Sequence, residues 1–350
     1  MTKVVLKILM YCLKNIYKEK SKKMHLNINN IKKIHKLHTE ALAEIKEDRC
    51  FICGKKCSSF CDSHSIPKFV LKSISDSGFV YLPVATRRAS ANEQKLLYKS
   101  NPGINETQIF KNICRDCDNN VFNSIENTES TMKDFTDEEL SLYALKVLLH
   151  DIYIKKLCCS IDNIHHKEMF GRGAIHFEWL SDIKDMTNQA NDYVGAMKNK
   201  LLIHHKVIID TVLNKKVNFA CVTKLLLGYS YKGNILYNLH DYLANFGFIY
   251  IVVLPLNNNH TKVSVFYRRK NKIYNTVKDE FDGMTLDEKL QAISNLIIMH
   301  TEDFVCTKDV VTKLKKIRKI VAEEVVDFSK DEYLSRIDKL NKSGINLFEI

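Results

Sequence analysis

The sequence predicts an α+β fold, and three observations carry that prediction. Apolar residues recur at helical spacing through most of the chain. One apolar run, 246–256, is answered across a turn by an alternating segment, 261–267. Two C-x2-C pairs, Cys50/Cys53 and Cys114/Cys117, frame an insertion long for a compact zinc finger. Together they divide the chain into a helical N-terminal arm (1–48), a cysteine-rich module (49–135) and a mainly helical C-terminal domain (136–350) with a hairpin near 246–268.

In the arm, Val4, Val5, Ile8, Leu9, Cys12, Leu13 and Ile16 share one helical face, with lysines mostly opposite. Lys7 breaks the apolar run and no small-residue cleavage site follows, which argues against a secretory signal. The face is expected to pack on its own protein or on a second chain, either another copy or a different partner, rather than on a membrane. A second helix is expected over Ile28–Ile45. No run of about eighteen apolar residues predicts a transmembrane span, so the expected compartment is the cytoplasm.

In the module, each C-x2-C pair brings two thiolates to one ion, and two pairs make four ligands, the donor set of a structural Zn2+. Gly54, just after the first pair, lets the backbone curl so that amides point at sulfur. The second pair runs into Asp118-Asn119-Asn120-Val121, which predicts the first turn of a helix. Turn-borne cysteines followed by helix-borne ones make a treble-clef layout. A disulfide framework does not suit a chain of 350 residues with 11 cysteines, an odd number. Cys57 and Cys61 are expected to be spectators or packing residues, although either could replace a ligand. Strand character is expected at Phe79–Val84 and a turn at Asn101-Pro102-Gly103.

Farther on, Thr136-Asp137-Glu138-Glu139 is a capping box opening a core helix over Leu140–Leu157. Trp179–Val212 is expected to be helical. Phe246–Leu256 and Thr261–Tyr267 form the hairpin, with Arg268-Arg269-Lys270 as a solvated tip. Thr285–Glu288 caps a helix over Leu290–Met299, and Val310–Val325 and the tail are helical. His165-His166 and His204-His205, without an acid at metal spacing, are expected on the surface or in packing. Cys158, Cys159, Cys221 and Cys306 are expected in the core.

The balance of 53 Lys+Arg against 41 Asp+Glu, net +12, favours a polyanion partner such as DNA or RNA, although a lysine-rich composition weakens that argument. No phosphate-binding glycine loop, serine elbow or dinucleotide fingerprint is present.

The chemistry concentrates in Ser63-His64-Ser65-Ile66-Pro67, between the cysteine pairs. A histidine on a metal-stapled scaffold can serve as the base of phosphodiester hydrolysis. By itself it can equally be a structural ligand or a donor to a cysteine sulfur. Over residues 50–126 the layout resembles the HNH, or His-Me finger, endonucleases, and more closely a group of bacterial HNH-like proteins with a long C-terminal half. The resemblance implies a ββα-like nuclease module in a defence or mobile-element system. Catalysis would use Mg2+ or Mn2+, with His64 as general base and Asp118 as ion ligand. Ser63 departs from it, standing where an acidic or histidine ligand is usual, and Ile109 stands where a middle Asn often falls. Asp62 or Glu126 are the remaining acids for the ion, Glu126 lying eight residues past Asp118, about 12 Å along a continuous helix. The alternative is a non-catalytic zinc-stabilised module that binds nucleic acid or a protein.

Overall fold

A computed structural model of the chain describes residues 28–82, 101–127, 131–173, 177–238, 245–257, 259–301, 303–316 and 329–350. The expected amphipathic stretch at 4–16 lies outside these residues.

Helix α1 (Ile28–Glu44) leads into the cysteine module. There a short strand β1 (Ser63–His64), helix α2 (Lys68–Ile74), strand β2 (Ile109–Phe110) and helix α3 (Arg115–Val121) follow in order. β1 and β2 pair antiparallel, Ser63 opposite Phe110 and His64 opposite Ile109. Two long helices come next, α4 (Asp137–Phe170) and α5 (Phe177–Lys198). The capping box expected at α4 forms: Thr136 accepts from the Glu139 amide, and the Glu139 carboxylate accepts from the Thr136 amide. α1 runs antiparallel to α4, held by Lys36–Glu168, Glu44–Ser160 and Glu47–Lys156 contacts.

The C-terminal half departs from the expected helical domain with one hairpin. It holds a five-stranded antiparallel sheet of β3 (His205–Leu213), β4 (Phe219–Leu225), β5 (Ile249–Pro255), β6 (Thr261–Arg268) and β7 (Phe304–Cys306), in the order β3-β6-β5-β4-β7. The hairpin is β5–β6 at its centre, all of whose residues are buried. The helix expected over Trp179–Val212 stops at Lys198. Lys200 takes a left-handed conformation (φ 53°) and the Leu201 amide caps back onto the Ala196 carbonyl. The remainder becomes β3, rich in the β-branched residues that favour a pleated surface. As an edge strand it is only partly buried, so its pattern imitates an amphipathic helix.

Helices cover both sheet faces. Tyr250, Val252, Leu254 and Phe266 point toward α4, α5 and the cysteine module. Ile249, Ile251, Val253, Val263 and Val265 point toward α6 (Asn275–Asp282), α7 (Leu286–His300) and α9 (Lys330–Lys342). Two buried faces explain why β5 reads as an unbroken apolar run. α7 starts at the capping box predicted at Thr285–Glu288. α8 (Lys308–Lys316) occupies the first part of the expected lysine-rich helix, whose remainder lies outside the described residues. No helix among the described residues is long and apolar enough to cross a membrane.

The cysteine module is not appended loosely. Cys50, Ile52, Ile113 and Cys117 belong to the same core as Leu148, Val222 and Tyr250. Tyr81 exchanges backbone hydrogen bonds of 2.8 and 2.9 Å with Cys306, so the expected strand segment at 79–84 contributes a bridge on the outer side of β7. Residues 83–100 lie outside the described part. Cys158, Cys221 and Cys306 are buried, as expected of core thiols, and Cys159 is half-buried.

Candidate metal centre and the histidine beside it

The first cysteine pair sits on a tight knuckle. The Cys50 amide donates to the Lys55 carbonyl (2.9 Å), the Gly54 amide donates to the Cys50 carbonyl (2.8 Å), and Gly54 has φ +73°. A side chain at residue 54 would meet no neighbour, so the need for glycine is conformational. The second pair belongs to α3: Cys114 is its N-cap and Cys117 lies in its first turn. The Cys114 amide points at Cys50 Sγ, 3.3 Å away.

The four ligand atoms lie within 4.8 Å of one another, and Cys53 Sγ is 3.9 Å from Cys114 Sγ. A tetrahedral ion with metal–sulfur bonds of about 2.3 Å has sulfur–sulfur edges of about 3.8 Å. Burial and the neighbouring thiols push the Cys117 thiol well above its ordinary range, so this arrangement favours ionised sulfur only with a cation at its centre. The donor set therefore fits a metal ion such as Zn2+. Cys57 and Cys61 are not among the four. Cys57 Sγ donates to the Lys55 carbonyl (3.3 Å), and Cys61 Sγ lies 3.2 Å from Ser63 Oγ and 3.4 Å from the Ile113 carbonyl. Burial raises the Cys61 thiol to about 11, consistent with a neutral packing residue.

β1 then places two adjacent residues in different surroundings, as alternation along a strand requires. Ser63, almost fully buried, donates to Asp118 Oδ1 at 2.5 Å. The two positions at which the resemblance expects ion ligands are thus in contact, but only one carries a carboxylate. His64 goes elsewhere: its Nε2 lies 3.0 Å from the Ile104 carbonyl. A carbonyl only accepts, so Nε2 carries the proton and Nδ1 carries the lone pair. Burial lowers the His64 pKa from its ordinary value, opposed by the Ile104 carbonyl, with Lys146 and Lys68 lowering it further and Glu126 raising it. His64 is neutral at physiological pH and has one basic nitrogen.

The other acids are committed. Asp62 pairs with Lys111 at 2.8 Å on the surface. Glu126 pairs with Lys146, whose side chain has no exposed surface and whose ammonium lies 4.9 Å above the Phe122 ring. The continuous helix assumed between Asp118 and Glu126 does not exist, because α3 ends at Val121 and a 3-10 turn, Asn123–Ile125, follows. Ile109, at the position where a middle Asn often falls, is in β2; of the asparagines near it in sequence, Asn112 is tied into the core by donating to the Leu149 carbonyl and Asn105 lies on the exposed turn 104–106. Among the described residues, the four cysteines form the one group of three or more His, Cys, Asp or Glu side chains arranged to hold an ion. The surroundings of Asp118 do not meet the need of Mg2+ or Mn2+ for several oxygen ligands.

Lys146 and the Ile104 carbonyl are the groups sequence reasoning missed. Lys146 had a visible signal, a lone lysine inside the apolar run Leu140–Leu149. The carbonyl had none. Two expectations about basic residues also change. Arg268 is not a solvated tip: it is buried over the Tyr193 ring and donates to Asp192 at 2.8 Å. His204 and His205 do have an acid, since Asp137 at the start of α4 accepts from both and from the His205 amide, pinning α4 to β3. His205 Nε2 continues to the Tyr193 hydroxyl at 3.2 Å. His165 is buried, and His166 packs on the Phe170 ring, as expected of packing histidines.

No protein-family model, curated protein or solved structure matches this chain.

Proposed function

We propose that the chain is an HNH-like nuclease that breaks phosphodiester bonds of nucleic acid, with a Zn2+ on Cys50, Cys53, Cys114 and Cys117 as staple and His64 as general base. The observation that carries the proposal is the Ile104 carbonyl bond to His64 Nε2, which leaves Nδ1 as a proton acceptor on a histidine kept neutral. A positioned base of this kind contributes roughly 10²- to 10⁴-fold to rate. The pairing of β1 with β2 and the helix α3 that follows support a ββα-like reading, with α2 inserted between the two strands. The net charge of +12 suits a polyanionic substrate. The cytoplasm suits it as well, because a reducing compartment keeps ligand cysteines available as thiolates. A role in bacterial defence or in a mobile element follows from the resemblance alone.

The part assigned to Asp118 is weaker. Its carboxylate accepts from Ser63, and no second acid joins it. That observation favours the second proposal, a zinc-stabilised module that binds nucleic acid or a protein without cutting.

The test is incubation of zinc-loaded protein with plasmid DNA and with total RNA, with and without Mg2+ or Mn2+, beside His64→Ala. Cleavage is expected, and the variant is expected to lose at least a hundred-fold in rate while keeping its zinc and its circular dichroism. Equal rates in the two proteins would remove the nuclease proposal. Salt-sensitive binding with intact substrate would select the binding module.

A further inference from the structure

The charges around His64 distinguish two kinds of phosphodiester chemistry. Activating water normally calls for an ion held by carboxylates, which also neutralises the phosphate. Three acids of the module have side-chain partners, Asp118 with Ser63, Asp62 with Lys111 and Glu126 with the enclosed Lys146, and among the described residues none joins a group arranged to hold an ion. The enclosed ammonium loses its counter-charge if Glu126, itself partly exposed, turns to an ion.

The cations show the opposite arrangement. Lys146 and Lys68 both act on the His64 ring, and Glu126 offsets Lys146. Lys68 is left as the exposed charge, at the start of α2, four residues beyond His64 and immediately after Pro67. An anion bound beside the ring would lie within the field of that ammonium. A base and an ammonium without a water-activating ion suit a nucleophile already attached to the substrate, because an intramolecular hydroxyl has a large effective concentration. RNA carries that hydroxyl beside every phosphate and DNA does not.

We propose that the His64 site cleaves RNA by transesterification, with Lys68 contacting the non-bridging phosphate oxygens. This rests on His64 being the base. His64 Nδ1 takes the proton of the 2′-hydroxyl, the 2′-oxygen forms a bond to phosphorus, and the bond from phosphorus to the 5′-oxygen breaks. The 5′-oxygen leaves with a proton from solvent, and His64 returns its own proton to solvent. The products are a 2′,3′-cyclic phosphate and a 5′-hydroxyl, with no change of oxidation state.

The experiment uses the zinc-loaded full chain without added Mg2+ or Mn2+. The substrates are an RNA oligonucleotide, the same oligonucleotide with a single 2′-deoxy residue at the mapped cleavage position, and the DNA of that sequence. Ends are identified by mass spectrometry. The expected result is RNA cleavage with cyclic-phosphate ends, no cleavage at the deoxy position and intact DNA. Lys68→Gln is expected to slow the reaction at least ten-fold, and Lys68→Arg to restore most of the rate. Cleavage of DNA or of the deoxy position at the RNA rate, or an absolute need for Mg2+, would overturn the proposal and leave His64-dependent hydrolysis standing. Unaltered cleavage by Lys68→Gln would overturn the role of Lys68. Intact RNA under all conditions, or cleavage unchanged in His64→Ala, would overturn both this proposal and the nuclease reading beneath it.

Discussion

Ser63 and Asp118 are 55 positions apart and joined by one hydrogen bond of 2.5 Å, from the serine hydroxyl to Oδ1 of the carboxylate. The bond links β1 to α3 directly beside the cysteine cluster. It supplies a neutral donor where a second acid would have made a site for a hard cation.

Replacing the serine by aspartate tests that view. Ser63→Asp places two carboxylates together in an almost fully buried spot, and like charges there raise each other's pKa and oppose folding. The variant is expected to melt several degrees lower at pH 7.5. Millimolar Mg2+ should recover part of the loss, since an ion that binds only the folded state stabilises it. A melting temperature indifferent to Mg2+ would show that the paired positions do not converge on an ion.

An ion held by the four cysteines should act on more than the module. Cys50 and Cys117 share a core with Leu148, Val222 and Tyr250, and Tyr81 is bonded to the Cys306 backbone. Chelation, or Cys114→Ser, is expected to lower the melting temperature of the main transition by roughly 10 °C or more. Differential scanning calorimetry with and without chelator is the check. A cysteine module that melts separately while α4 and the sheet keep their transition would contradict the shared core.

The Lys146–Glu126 pair should obey the asymmetry of buried charges. Glu126→Gln leaves a wholly buried ammonium without its counter-charge and is expected to cost about 3 kcal/mol. Lys146→Met exchanges the charge for an apolar chain of similar length and is expected to stay within about 1 kcal/mol of wild type. The double variant should regain most of what Glu126→Gln loses. Urea midpoints of the three proteins decide, and equal losses in all three would refute the assignment.

Acid should destabilise the fold through a histidine outside the cysteine module. Burial lowers the His205 pKa to about 4 from 6.5, helped by Arg268 and His204 and opposed by Asp137. The unfolded chain therefore binds a proton below about pH 6.5 that the folded chain refuses until about pH 4. Stability is constant for this group above pH 6.5 and falls as the pH drops between those values. The loss is at most about 3 kcal/mol. Depression of the Asp137 pKa, which burial opposes and its bonds to His204 and His205 produce, acts in the same direction at lower pH. Urea unfolding at pH 7.5 and 4.5 should show this, and His205→Gln should reduce the difference, His300 and His38, which burial also lowers to about 4, supplying the remainder. An unchanged slope in the variant would place the acid sensitivity elsewhere.

What was legible in the sequence is what neighbours in the chain decide among themselves. The helix starts at Thr136 and Thr285 formed as expected because a capping box needs only residues three apart. The knuckle at Cys50–Gly54 and the hairpin Ile249–Arg268 are equally local. So are the four cysteines that cluster, recognisable by their paired spacing.

Only the tertiary structure decided the rest. β3 reads as helix in the sequence, and β4 and β7 carry no local signal, because their partners lie far away in sequence: β3 pairs with β6, and β7 with β4. A bulge between Val207 and Ile209 also shifts the register of β3 and breaks its period of two. The site followed the same rule. The sequence supplied His64, Asp118 and Glu126, and long-range packing chose their partners. Ser63 took Asp118, Lys146 took Glu126, and the Ile104 carbonyl set the histidine tautomer. Backbone carbonyls and buried ammoniums act through where they stand, and that position exists only once the chain has folded.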